Sequence, residues 1–247
     1  TPYEPRRMTR IIFDLDGTLI DSAPDIHLAV NLMLSERNLA PLDLADVTGF
    51  IGNGVPNLVR LAMQARDIDM TQHDACVTSM AHHYGQVNGQ LTRLYPGVRI
   101  ALEQLQRNGH TLALCTNKPL EPARQIVETF ELTPLFDQII GGDSLAQRKP
   151  EPAMLLACLT NGSGLFVGDS EVDAETADRA GVPFALFTQG YRKTPVAQLE
   201  HRYTFDDFRD LAAIVERFAN RQDQIEIASG PCWPQRRQSS DCKDCKC

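Results

Sequence analysis

Long apolar runs are missing from this chain of 247 residues, and nothing in it approaches the roughly 20 residues that cross a bilayer. The stretch from Thr1 to Arg10 is polar and lacks the apolar segment of a secretory signal, and Met8 suits a natural start better than Thr1. The expectation is a soluble, cytoplasmic protein with no membrane partner. Positive charge is scarce too. There are 24 Lys and Arg against 32 Asp and Glu, a formal charge of -8 and a pI near 5.2, which excludes a broad basic face for nucleic acid. A small anionic substrate would need positive charge gathered at one place. The six histidines contain no His-Glu-x-x-His, and the adjacent His82 and His83 would leave a helix in different directions. Neither Ser22 nor Ser170 has the His and Asp partners of a serine hydrolase.

Cysteine is present but in an odd number, seven. Cys76, Cys115 and Cys158 stand singly among apolar neighbours, as buried free thiols do, which suits a reducing compartment. Cys232, Cys242, Cys245 and Cys247 share the last sixteen residues with Pro, Gln, Ser and Arg, a composition that buries little surface. Residues 223–247 therefore read as a disordered tail. Three thiolates with no regularly spaced fourth partner fall short of a structural zinc set.

Hydrophobic residues make up 43% and charged residues 23% of the chain, enough for one large unit or a core carrying an inserted domain. The β-prone run Thr9 to Asp14 ends in acidic residues and Gly17, as a buried strand delivering its end to a loop would. From Pro24 the rhythm is helical, with Ile26, Ala29, Val30, Met33 and Leu34 on one face and Asp25, Asn31 and Arg37 on others. Leu58 to Ala65 and Cys76 to Ala81 repeat the pattern. After Pro96-Gly97 helices and strands alternate: helix Val98 to Arg107, strand Thr111 to Cys115, helix Glu121 to Phe130, strand Phe136 to Ile140, helix Pro152 to Leu159, strand Leu165 to Val167, helix Glu171 to Ala180, strand Phe184 to Phe187, a short strand Tyr203 to Phe205 and helix Asp207 to Phe218. This predicts an α/β fold with a Rossmann-like parallel sheet covered by helices on both faces. An all-helical cap, residues 21–91, interrupts a core made of residues 1–20 and 92–222.

Ligands of open parallel sheets bind beyond the carboxyl ends of the strands. There the sequence places Asp14-Leu15-Asp16-Gly17-Thr18, Thr116-Asn117-Lys118, Lys149-Pro150 and Gly168-Asp169-Ser170. The set suits phosphoryl transfer, because Mg²⁺ takes carboxylate oxygens and offsets the repulsion between an anionic nucleophile and a phosphate. Asp14 would attack phosphorus, splitting one hard displacement into two through an acyl phosphate. Asp16 would protonate the leaving oxygen and later activate water. Thr116 and Asn117, with nearby backbone N–H groups, would hold the transferred oxygens, and Lys149 would neutralise charge. Asp169 would complete the metal site, with Asp173 and Ser170 supporting it from behind.

Asp14-Leu15-Asp16-Gly17-Thr18-Leu19 resembles the first motif of the haloacid dehalogenase superfamily, and Thr116, Lys149 and Gly168-Asp169 with Asp173 resemble its second to fourth motifs. The match runs from about Arg10 to Ala219. It implies Asp14 as nucleophile, Asp16 as acid and base, Thr116 and Lys149 as phosphate ligands, and Asp14, Asp169 and the Asp16 backbone carbonyl as magnesium ligands.

The long gap between Asp14 and Thr116 is the place for a cap that closes over the crevice and admits only small substrates. Phe50-Ile51-Gly52-Asn53-Gly54-Val55-Pro56, Tyr95-Pro96-Gly97-Val98 and Thr116-Asn117-Lys118-Pro119 are similar to segments of the phosphoglycolate phosphatases in that superfamily. In that reading Gly52 and Gly54 let backbone N–H groups approach a compact carboxylate, Asn53 hydrogen-bonds to it, and Lys118 pairs with it or lies beside the phosphate. The alternative is that the glycine loop merely starts a helix ahead of Pro56. The expected partner is a small phosphorylated metabolite, and the expected assembly a monomer or homodimer. A phosphatase or mutase acting on a sugar phosphate shares the catalytic set. A dehalogenase would lack the second aspartate, and a non-enzymatic phosphate sensor would be expected to have lost an acid or base. A calcium loop starting at Asp14 would need Gly where Leu19 stands, and Gly52-Asn53-Gly54 lacks the third glycine and preceding strand of a dinucleotide turn.

Overall fold

The computed structural model describes residues 8–159 and 163–220. The expected tail, with its four cysteines, and the first seven residues lie outside the described residues. In chain order the elements are β1 (Arg10–Phe13), β2 (Ile20–Asp21), α1 (Ala23–Ser35), α2 (Leu44–Thr48), α3 (Val55–Gln64), α4 (His73–Val87) and β3 (Arg93–Leu94), followed by α5 (Val98–Arg107), β4 (Thr111–Cys115), α6 (Leu120–Thr129), β5 (Gln138–Ile140), α7 (Ala153–Cys158), β6 (Leu165–Gly168), α8 (Glu171–Ala180), β7 (Phe184–Phe187), β8 (Tyr203–Phe205) and α9 (Leu211–Ala219). Six strands form one parallel sheet in the order β5-β4-β1-β6-β7-β8.

The strand sequences are apolar throughout because both faces are covered. Ile11, Phe13, Leu112, Leu114, Val167 and Phe187 turn to one side and pack with the buried stripes of α5, α6 and α9. Their neighbours Ile12, Ala113, Cys115, Phe166 and Leu186 turn to the other and meet α7 and α8. Each fully buried Leu, Ile or Phe contributes about 1.5–3 kcal/mol from removal of apolar surface. The three described cysteines, Cys76, Cys115 and Cys158, are buried free thiols, as expected.

Helices α1 to α4 enclose a separate apolar cluster that includes Val30, Met33, Val59, Met63, Cys76 and Met80. The chain leaves and rejoins the sheet layer through β2 and β3, which pair antiparallel, Ile20 with Leu94 and Asp21 with Arg93. Asp25, expected on a face other than the apolar stripe of α1, does not meet solvent. It is fully buried and accepts hydrogen bonds from Gly89 N (2.8 Å), Leu91 N (2.8 Å), Thr92 N (3.1 Å) and Thr92 Oγ1 (2.5 Å), so the first turn of α1 clasps the returning segment.

Element ends differ from expectation where a side chain redirects the backbone. Asp207 accepts from Arg209 N at 2.8 Å and turns residues Phe208–Asp210 into a 3₁₀ turn before α9. The turn Thr133–Leu135, with Pro134 in it, delays β5 to Gln138. Among the described residues no helix is long and apolar enough to cross a membrane.

Candidate active site

The crevice opens above β1, which lies between β4 and β6, so the loops following all three strands face one another. Asp14 ends β1 with 7% of its surface exposed. Gly17 turns the next loop at φ 88°, and a Cβ there would stand 2.5 Å from Asp169 Oδ2, so only glycine fits.

Lys149 is 2% exposed, with Nζ 2.8 Å from Asp14 Oδ1 and 2.7 Å from Asp173 Oδ1. The contact with Asp14 is an ion pair without the alignment of a hydrogen bond, which leaves Asp14 Oδ1 buried and short of a directed donor. Burial works against the ammonium, but Asp14 and Asp173 outweigh it and hold the Lys149 pKa above its ordinary value. Asp173 is placed by Ser170, the N-cap of α8. The Ser170 hydroxyl donates to Asp173 Oδ2 at 2.7 Å, the same oxygen accepts from Ser170 N and Asp169 N, and Asp173 N returns a bond to Ser170 Oγ. Asp173 thus grips Lys149 with one oxygen and the start of α8 with the other.

Asp169 is 1% exposed and receives Thr18 Oγ1 at 2.7 Å and Tyr191 N at 2.7 Å. Tyr191 also donates its hydroxyl to Asp21 Oδ1 (2.7 Å) and accepts from Ser22 N (2.7 Å) and Ala23 N (3.0 Å), so one residue touches both the site and the crossing segment. Sequence reading missed Thr18 and Tyr191. Carboxylate oxygens of Asp14, Asp169 and Asp173 fall within 4.8 Å of one another, a group able to hold a metal ion. Burial first, opposed by Lys149 and reinforced by Asp173, pushes the Asp14 pKa up to about 7. Burial and then the charges of Asp173 and Asp14 raise that of Asp169 well above the carboxylate range. Four carboxylates, with Asp16, face two ammonium groups. An orphaned carboxylate oxygen in a site with excess negative charge fits a divalent cation. Asp173 is committed to Lys149 and to its helix start, whereas Asp14 keeps one oxygen without a hydrogen-bond donor.

Asp16 is held by two donors on a single oxygen. Lys118 Nζ lies 3.0 Å and Ser22 Oγ 2.5 Å from Asp16 Oδ1. Lys118, buried like Lys149, also donates to the hydroxyl of Tyr84 on α4. Burial raises the Tyr84 pKa to about 12 despite the nearby ammonium, so the phenol keeps its proton. A cavity between the strand ends and the helical layer is lined by Asp14, Asp16, Thr116, Asn117, Lys118 and Pro119 on one side and by Ile26, Ile51, Gly52, Gly54, Val55, Leu58, Met80 and Tyr84 on the other.

Thr116 is 1% exposed and its Oγ1 accepts from Lys118 N at 3.2 Å. Asn117, expected to hold phosphate, spends its side-chain N–H groups elsewhere: Nδ2 donates to Gly52 O and Lys149 O, both at 2.9 Å, tying the glycine loop to the Lys149 loop. Gly52 and Gly54 line the cavity, whereas Asn53 is exposed and absent from its lining. The positive φ angles of both flanking glycines, 119° and 81°, carry the chain through a turn that leaves Asn53 outside.

Residues 11–187 match the family model for haloacid dehalogenase-like hydrolases, and the chain belongs to that family. Its relatives include phosphoglycolate phosphatases. A phosphoglycolate phosphatase of Cereibacter sphaeroides is 48% identical over 215 residues, 85% of this chain and 99% of the relative. Another from Rhodospirillum rubrum is 41% identical over 212 residues, 81% and 88% of the two chains. The crystal structure of a predicted phosphoglycolate phosphatase from Haemophilus somnus 129pt has a TM-score of 0.79 at 34% identity, covering 84% of this chain and 98% of that one.

Proposed function

We propose that the chain is a magnesium-dependent phosphatase that converts 2-phosphoglycolate to glycolate and phosphate through a phospho-aspartate on Asp14. The observation that carries this reading is the single Lys149 ammonium shared between Asp173, at 2.7 Å, and Asp14, at 2.8 Å, the latter lining the cavity. Asp14 attacks phosphorus and the ester oxygen leaves. Lys149, anchored by Asp173, stays beside both the nucleophile and the incoming oxygens. Thr116 and backbone N–H groups around it bind the phosphoryl oxygens. Asp16, with Oδ1 fixed by Lys118 and Ser22, keeps Oδ2 for proton transfer to the leaving oxygen and then from the attacking water.

Asp14, Asp169 and the Asp16 backbone carbonyl would hold Mg²⁺, whose charge neutralises the carboxylates and the phosphate. Residues 21–91 act as a cap over a core of residues 1–20 and 92–222. The cavity wall they supply is largely apolar, which suits a short substrate better than a hydroxyl-rich sugar. Lys118 supplies positive charge for the glycolate carboxylate, and Gly52 and Gly54 bring backbone close to it. The names of the close relatives support the same substrate.

The test is phosphate release from 2-phosphoglycolate beside a panel of sugar phosphates, with EDTA-treated and Asp14→Asn samples as controls. Preference for phosphoglycolate that disappears in both controls is expected. Preference for a sugar phosphate would overturn the substrate, and activity surviving in Asp14→Asn would overturn the mechanism.

A further inference from the structure

We propose that Tyr84 is a specificity-determining residue whose hydroxyl hydrogen-bonds the substrate's carboxylate together with Lys118. This rests on the reading of the substrate as a short phosphorylated acid. The helical wall of the cavity is made of Ile26, Ile51, Val55, Leu58 and Met80 side chains and glycine backbone, and Tyr84 brings to it the one polar side-chain group. Met80 and Tyr84 lie one turn apart on α4, so the same helix face that fills the apolar cluster of α1 to α4 also delivers a phenol to the cavity.

The hydrogen-bond arithmetic at this phenol is incomplete. Among the described residues its partner is Lys118, whose ammonium donates to the phenolic oxygen. The oxygen therefore accepts, and its own O–H has no protein acceptor there. Lys118 is in the same position: of its three N–H bonds, one goes to Asp16 and one to Tyr84. Two donors, one from each side of the cavity and in contact with each other, are left for one acceptor group. Both are almost wholly buried, Tyr84 and Lys118 each 6% exposed. A buried donor without an acceptor is costly, so the pair selects for a ligand that satisfies both. Because Lys118 also touches Asp16, the acceptor lies close to the leaving oxygen, and a carboxylate one carbon from that oxygen meets the requirement. A ligand with an alkyl end in the same place leaves both donors unmet.

The test measures the ratio of kcat/KM for 2-phosphoglycolate to that for ethyl phosphate in the wild type and in Tyr84→Phe, which keeps the ring, its packing and the ammonium 4.6 Å from its centroid. The ratio is expected to fall about tenfold in the variant through KM for phosphoglycolate, the size of one lost hydrogen bond to a charged group. A ratio equal to that of the wild type, whether both activities are kept or both decline, would assign Tyr84 only to holding Lys118 and overturn the proposal. If the wild type itself does not distinguish the two esters, the substrate reading fails with it. A wild type that does distinguish them beside an unaltered variant ratio removes Tyr84 alone.

Discussion

Lys118 and Asp16, separated by 102 positions in sequence, meet through Nζ and Oδ1 at 3.0 Å, and both side chains are largely buried. The pair fixes the orientation of the carboxylate assigned to proton transfer. It also sets a positive charge beside Asp16 in the cavity wall.

Lys118→Met removes that charge while keeping most of the side-chain volume. Loss of one member of a buried pair costs about 3–5 kcal/mol, so the urea midpoint is expected to drop. In folded protein kcat/KM for phosphoglycolate should fall by about 100-fold or more, since both the substrate's counter-charge and the anchor of Asp16 are gone. Steady-state kinetics beside urea unfolding read the two effects separately.

Asp14→Asn is expected to separate activity from stability. Turnover should fall by about 10⁴-fold or more, as for removal of a nucleophile. The melting temperature in metal-free buffer at pH 8 should not fall and is expected to rise. Burial holds the Asp14 pKa at about 7, which means the ionised form is disfavoured at its own site, and the neutral amide removes one of several clustered charges. Differential scanning calorimetry at matched buffer checks it.

Magnesium should stabilise the wild type against heat by linkage, about 2.7 kcal/mol at a free concentration 100 times the dissociation constant. EDTA should reverse the shift and stop phosphate release. In Asp169→Asn the metal-dependent rise in melting temperature is expected to shrink or vanish. An unchanged rise would remove Asp169 from the metal ligands.

Asp25→Ala strips an acceptor from three backbone N–H groups and the Thr92 hydroxyl, all in the returning segment. The expected loss is about 3 kcal/mol or more, because the donors become buried and unsatisfied. Limited proteolysis should find its first new cleavage near residues 89–92, while Asp25→Asn, which keeps acceptor capacity on one oxygen, should lose less.

The sheet was legible because its signals are local. Strands, turns and the acidic run at Asp14 to Thr18 lie within a few residues of one another, and a strand's alternation between two covered faces leaves an unbroken apolar run. Asp14, Asp16, Lys149, Asp169 and Thr116 could be read from strand ends for the same reason, and the structure gathers them at one crevice. Tyr191, Ser22, Thr18 and Tyr84 could not, because their role depends on partners brought close only by the fold, such as the 151 positions between Thr18 and Asp169. Asp25 was misjudged on helical periodicity, which assigns a polar residue to solvent when no buried donors are known. Asn53 lies exposed for a different reason: its residue type suited a carboxylate, but direction is set by the glycines beside it. A polar residue between two flexible ones carries little information about where it points.

The antiparallel pairing of β2 with β3 brings the two ends of the helical segment side by side on the sheet layer. An insertion whose ends already meet asks little of the host about its own length, since each doubling of a closed loop costs only about 0.6 kcal/mol more. The strand ends can hold a fixed reaction while substitutions among α1 to α4 redraw the range of molecules admitted to it.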